Sequence, residues 1–298
     1  MDDERTRLIA AAGEPALNKP LVKRWEARLN LDFKSLKGRS YLARNLHIGP
    51  LVLQKTLHPE GDAVCHGIVI HPPGGVAGGD QLMLEAHLDK HSHALLTTPG
   101  AGKWYKANGL FATQQLRFNI EENACLEWLP QENILFDGSK VALRADVNLA
   151  KNACFAAWEV LCFGRQAQQE RWTSGEMKQR LHILREGKLI WNECAAIHPS
   201  HLALDSIVGT HNRVVSASFV VAAGEVPNDV LEACRAVKPM QKLDENAKYG
   251  VTAMPEIFSA RYVGQSTQCA KAYFEMLWQC LRPWYTNREM LRPRIWNT

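Results

Sequence analysis

Residues Val141–Leu149 read VALRADVNL. Val141, Leu143, Ala145, Val147 and Leu149 are apolar, and Arg144, Asp146 and Asn148 alternate with them as polar residues. Period-two alternation sets an apolar face against a wet one, which suits a β-strand and not the 3.6-residue period of a helix. The pattern recurs upstream. WEARLNLDF puts Trp25, Ala27, Leu29, Leu31 and Phe33 on one face, and QLMLEAHL does the same with Leu82, Leu84, Ala86 and Leu88. Short polar turns separate such runs, so the chain reads as mainly β.

A weak internal repeat runs through the middle. SHALLTT, NACLEWL, NACFAAW and GKLIWNE each follow a polar turn, with Ala94, Ala124, Ala153 and Lys188 spaced by 30, 29 and 35 residues. Stacked β-units give such a period, and so do ordinary hairpins; both readings stand at this level. Helical signal is confined to the C-terminal third. Ala270, Tyr273, Phe274, Leu277, Trp278 and Leu281 form one apolar stripe, with Ser266 or Thr267 as N-cap and Pro283 as the stop. A shorter helix fits NDVLEACRAV, capped by Asn228 and ended before Pro239. The expected fold is mainly β, a solenoid-like or β-helical stack of antiparallel and parallel strands with two α-helices in the C-terminal third. Residues 1–24 read as a charged, loosely ordered leader and residues 25–298 as one domain.

Composition narrows the function. With 46% hydrophobic and 22% charged residues, 298 residues can bury a sizeable core. The net charge of +4 comes from scattered Lys and Arg, which gives no case for a nucleic-acid partner. No apolar run approaches the ~20 residues of a membrane helix, and MDDERTRLIAAAGEP lacks the basic and apolar regions of a secretory signal. The eight cysteines form no C-x-x-C pair and several lie in apolar runs, as reduced thiols of a cytoplasmic protein would.

Two glycine loops invite a nucleotide reading, HPPGGVAGGD at His71–Asp80 and TTPGAGKWY at Thr97–Tyr105. Position excludes it. Trp104 follows Gly102-Lys103 where a phosphate loop needs Ser or Thr, and GGVAGG has the wrong glycine spacing and leads into a strand. Turn-forming glycine is the better account. Seven of the eleven histidines fall between residues 47 and 93, but His91 and His93 read as a turn, and no set has zinc-ligand spacing. No G-x-S-x-G elbow is present.

The acids are more informative. Glu127 in ACLEWL, Glu159 in CFAAWEVLCF and Glu193 in KLIWNECAAI each sit in a strand that is apolar on both faces. An unpaired buried carboxylate costs several kcal/mol or shifts its pKa. Either each acid meets an arginine or an edge, or the acids line a wet interior.

Six motifs, GPLVLQ, HPPGGVAGGD, TTPGAGKWY, LEWLPQENILFDG, WEVLCFGR and LRPWY…LRPRIWNT, occur in order between Trp25 and Thr298. Together they resemble the urease accessory protein UreD family, called UreH in some lineages. The resemblance implies a non-enzymatic β-rich scaffold that joins UreF and UreG and docks on apo-urease. It implies no permanently bound cofactor, with nickel in transit through the interior and the nucleotide on the GTPase UreG. Scattered carboxylates suit transit, since a Cys/His cage would retain Ni²⁺. On that basis Glu127, Glu159 and Glu193 are expected to form a transit row, with Asp80 near an opening and Glu132 and Asp137 as further acids in a turn. Arg292, Arg294 and Trp296 are residue types favoured at a partner surface, unless the tail tucks onto its own domain. A rival reading is a β-solenoid polysaccharide hydrolase using Glu127 and Glu132 as acid and base; another is a simple nickel-binding module.

Overall fold

Strands built from alternating segments dominate the computed structural model, which describes residues 25–200, 202–239 and 244–297. The leader lies outside the described residues. VALRADVNL forms β11 (Lys140–Leu149), in which Val141, Leu143, Val147 and Leu149 are buried. In β1 (Glu26–Leu36) and β5 (Gln81–Leu88) the expected apolar faces are buried, although Trp25 lies before the first strand and is exposed.

The chain coils between two sheets. The seven-stranded sheet has the order β14-β13-β11-β8-β5-β1-β2, adding β2 (Arg39–Ile48), β8 (Ala112–Ile120), β13 (Glu176–Arg185) and β14 (Lys188–Ile197). The facing sheet contains the parallel strands β4 (Cys65–Ile70), β6 (His93–Thr97), β9 (Cys125–Trp128) and β12 (Cys154–Phe163). Antiparallel strands β15 (Val215–Ala222), β17 (Ile257–Gly264) and β16 (Lys248–Met254) extend it. From β4 to β13 the longer strands alternate between the sheets, so the chain winds as a solenoid of about four turns.

The repeat is real but shorter than the sequence suggested. Register pairs His93 with Cys125 and Cys125 with Cys154, while His91, Asn123 and Asn152 occupy the left-handed turn that opens each strand. GKLIWNE is not a further stacked copy. It forms β14, which folds back antiparallel on β13 at the edge of the other sheet, because Glu186-Gly187 make a tight hairpin with positive φ.

One core fills the space between the sheets and a second lies under the helices. Helix α3 (Thr267–Thr286) covers the outer face of the β9–β12 region and buries Ala270, Tyr273, Phe274, Leu277, Trp278 and Leu281 as the stripe required. Ser266 Oγ accepts from Cys269 N at 3.2 Å, the expected cap. Pro283 does not end the helix. It lies inside the last turn, which continues to Thr286 and closes at Asn287 in the left-handed region. Helix α2 (Asn228–Ala236) has Pro227, not Asn228, at its N-cap position. A further turn of helix, α1, spans Leu202–Asp205. Among the described residues no helix is long and apolar enough to cross a membrane.

Candidate functional site

The three glutamates expected to form a row are divided between opposite faces. Register matches Cys125 with Cys154, so Glu127 lies beside Ala156. Glu159 is three residues further along β12, an odd number, and successive strand side chains point to opposite faces. Glu127 therefore faces α3, whereas Glu159 faces the space between the sheets.

Glu127 is fully buried and wholly occupied. Its carboxylate accepts from His93 Nε2 at 2.7 Å, Trp278 Nε1 at 2.7 Å, Tyr285 Oη at 3.0 Å and Arg282 Nη2 at 3.0 Å. Burial alone would raise its pKa, but the His93 hydrogen bond and the Arg282 charge outweigh that and hold it at about 2. Arg282 is also fully buried and reaches Glu60 with Nη1 at 2.7 Å and Nη2 at 2.8 Å, while His66 bonds Glu60 at 2.6 Å. This is a clamp between the C-terminal half of α3 and the sheet. Arg282 follows Trp278 by one helical turn on the buried stripe, which is the sequence signal that would have exposed it.

Glu159 stands where three cavities of about 190, 40 and 90 Å³ meet, and it lines all of them. Its orientation is fixed by a short relay. Trp104 Nε1 donates to Asn133 Oδ1 at 2.8 Å, which turns the amide so that Asn133 Nδ2 donates to Glu159 Oε1 at 2.6 Å. Burial pushes the Glu159 carboxyl up to about 7; the Asn133 bond opposes this and nearby Glu193 adds to it. Across the sheet Glu159, Ser218 and Arg261 are register neighbours on β12, β15 and β17, so they share the inward face.

Glu193 reaches the same space from the opposite sheet. Its Oε1 accepts from Arg261 Nη1 at 2.5 Å, and its buried Oε2 has no hydrogen-bond partner among the described residues. Glu159, Glu193, Ser218 and Arg261 together line the 90 Å³ cavity, and Gln179 continues from there into the 40 Å³ cavity.

The glycine loops frame the mouth of the 190 Å³ cavity, whose wall includes Gly74, Gly75, Gly100 and Gly102. Their smallness has a local cause. A Cβ on Gly102 would stand 2.3 Å from Asn133 Oδ1, so only glycine leaves room for the Trp104–Asn133–Glu159 relay. Asp80 does not line this cavity. Its Oδ2 accepts from Ala77 N at 2.9 Å and its Oδ1 from Trp25 N at 3.3 Å, so it closes its own turn.

The other named acids are engaged elsewhere. Glu132 pairs with Lys271 Nζ at 2.6 Å, and Asp137 accepts from Thr173 N at 2.6 Å and Ser174 N at 2.8 Å in an exposed turn. Glu127 and Glu132 thus each meet a cation on α3 and are held there as ion pairs. The tail is tucked in. Trp296 packs on Trp158 and Trp278 with ring centroids 5.4 and 6.0 Å apart, and its Nε1 donates to Thr97 Oγ1 at 2.7 Å. Arg292 bonds Glu275 at 2.7 Å, while Arg294 is exposed. Of the three tail residues only Arg292 and Arg294 face solvent, because the indole belongs to the core beneath α3.

The profile of a family described as UreD urease accessory protein matches residues 26–297. A urease accessory protein UreD of Methylobacillus flagellatus is 56% identical over 298 residues, all of both chains. One of Dechloromonas aromatica is 42% identical over 277 residues, 92% of this chain and 95% of the relative. Another, of Nitrosococcus oceani, is 40% identical over 289 residues, covering 97% and 96%. A match across both sheets, the intersheet cavities and α3 places the whole described fold in one lineage: the chain belongs to the UreD family of urease accessory proteins.

Proposed function

We propose that the chain is a non-catalytic maturation factor that binds apo-urease together with UreF and UreG, and that nickel crosses it as cargo through the space between the sheets. The observation that carries this reading is the meeting of three cavities at Glu159, with the unpartnered Oε2 of Glu193 on the same wall. A carboxyl with a pKa of about 7 gives up its proton to water at little cost when a cation arrives and is reprotonated from water when the ion leaves. Oxygen and amide ligands, few in number, suit Ni²⁺ passage better than retention. Glu127 is removed from the row proposed on sequence grounds, because Arg282 already neutralises it; the path keeps Glu159 and Glu193, and Asp80 supports the loop at the mouth.

The test is co-expression with urease structural and accessory genes, using Glu159→Gln and Glu193→Gln singly and together. Pulldown of UreF, UreG and urease should be unchanged, while urease nickel content and urea hydrolysis fall. Full nickel loading in the double variant would remove the intersheet path. Loss of pulldown with the wild-type chain would remove the scaffold.

A further inference from the structure

The edges of a sheet carry backbone groups with no ladder partner, which makes them templates for another strand. The main runs of the two sheets end on β2, β14, β16 and the two-residue strand β3 (Val52–Leu53). Along most of β14 and β16, exposed residues alternate with half-buried ones, so one face of each is covered. β2 is different. Its residues Ala43, Arg44, Asn45, Leu46, His47 and Ile48 are all exposed, which leaves this length bare on both faces as well as along its free side. Nearer the β1–β2 hairpin the free side is closed, because Ser40 N donates to Asp62 O at 2.9 Å. Among the described residues, the six from Ala43 to Ile48 make backbone hydrogen bonds only within the β1–β2 ladder.

This edge also lacks the usual defences. Lysine and proline blunt natural edges, and neither occurs between Ala43 and Ile48. Arg44 is neutralised by Asp32, with Nε 2.6 Å from Oδ2. Register sets Arg44, Leu46 and Ile48 beside Asp32, Asn30 and Arg28 on the outer face of the sheet, and Asn45 and His47 beside Leu31 and Leu29 on the inner face. Leu46 and Ile48 are 54% and 67% exposed.

We propose that β2 is a homotypic docking edge that pairs antiparallel with β2 of a second copy of this chain, joining the two seven-stranded sheets into one. The segment is complementary to itself. A twofold axis at Leu46 sets that leucine against its own counterpart, lays the Arg44 stem against Ile48, and puts the Asn45 amide opposite the His47 imidazole. No like charges then stand directly opposite each other, an arrangement that would oppose pairing. Lys34 and Lys37 lie toward the hairpin, so an antiparallel pair holds the two sets at opposite ends. A twofold contact of this kind is closed at two copies. Six residues a side with their flanks fall at the low end of interface sizes, below about 1,200 Å² in total, so the dimer is reversible and not obligate. The proposal does not depend on the nickel path.

Sedimentation velocity of the full-length chain, from nanomolar to high micromolar concentration, should show a reversible passage from monomer to dimer. The double variant Leu46→Lys, Ile48→Lys should stay monomeric with an unchanged melting temperature, since both side chains are exposed. Leu189→Lys, at an exposed position on the opposite edge strand β14, should dimerise as wild type does. The register has its own readout. Equivalent positions across the axis bring Cβ atoms to about 4.5–5.5 Å, so Leu46→Cys should give a covalent dimer with a short bismaleimide, and Lys151→Cys, in an exposed turn, should not. A wild type that is monomeric throughout overturns the proposal, as does a dimer that the β2 double variant leaves intact. Species larger than a dimer overturn it too, because they require a contact that does not close. Slow hydrogen exchange of the Ala43–Ile48 amides in the dilute monomer would show the edge already occupied by this chain's own residues, which also overturns it.

Discussion

Arg282 on α3 and Glu127 on β9 meet at 3.0 Å with neither side chain exposed to solvent. Between them, and with Glu60, they fasten the helix to the sheet. Removing one partner of such a pair leaves a charge buried without compensation, which costs about 3–5 kcal/mol. Arg282→Met should therefore lower unfolding free energy by that amount in urea titration. A loss below about 1 kcal/mol would show that the clamp is no stronger than a surface ion pair.

Acid should loosen the same clamp. The Glu127 carboxyl lies at about 2 in the fold against an ordinary 4.5, so the unfolded chain binds its proton first. The stabilisation is complete above the ordinary value and is lost as pH falls toward 2. Glu127→Gln should accordingly flatten the acid limb of a stability–pH profile measured from pH 6 to pH 2. An unchanged acid limb would falsify this assignment.

Glu159 has the opposite sign. Its carboxyl is raised to about 7, so below the ordinary 4.5 both states hold the proton and the group is neutral to stability. From there the fold is progressively disfavoured until pH passes 7, because ionising in place is harder than ionising in water. Glu159→Gln should raise the melting temperature at pH 8 and have little effect at pH 4, even as it impairs nickel loading. A variant that melts lower at pH 8 would contradict the buried-carboxyl account.

Gly102 and Gly187 make a matched comparison. Asn133 is held from both sides by Trp104 and Glu159 and cannot retreat from a methyl group at Gly102. Gly102→Ala should cost about 1–3 kcal/mol by overpacking. Gly187 has φ +80 and open space around it, so Gly187→Ala should cost only the backbone strain of about 1–2 kcal/mol. Thermal melts at pH 8 should also show Gly102→Ala, unlike Gly187→Ala, enlarging the gain in melting temperature from Glu159→Gln, since the Asn133 bond that opposes the raised carboxyl pKa has moved away. Identical behaviour of the two alanine variants would contradict the relay.

Trp296 should act through stability first. Its indole packs on Trp158 and Trp278 and bonds Thr97, so Trp296→Ala should cost about 3 kcal/mol. Arg294→Ala, at an exposed side chain, should leave the melt unchanged. Comparable melts for both would return Trp296 to the surface.

Strand identity was written in the residues themselves. Period-two alternation in VALRADVNL or QLMLEAHL fixes which side chains face inward wherever the strand packs, and the 270–281 stripe fixes the buried face of α3. The family was equally legible, because six ordered motifs suffice to carry it. What the sequence could not settle was register. A difference of three residues between the spacing of two glutamates and the step of the solenoid sends Glu127 to the helix side and Glu159 between the sheets. Partners distant in the chain, such as Arg282 for Glu127 and Arg261 for Glu193, are chosen only when the sheets stack and α3 docks. Whether a buried acid is a structural ion pair or a carboxyl with a pKa near 7 depends on that long-range placement, and one-dimensional spacing does not contain it.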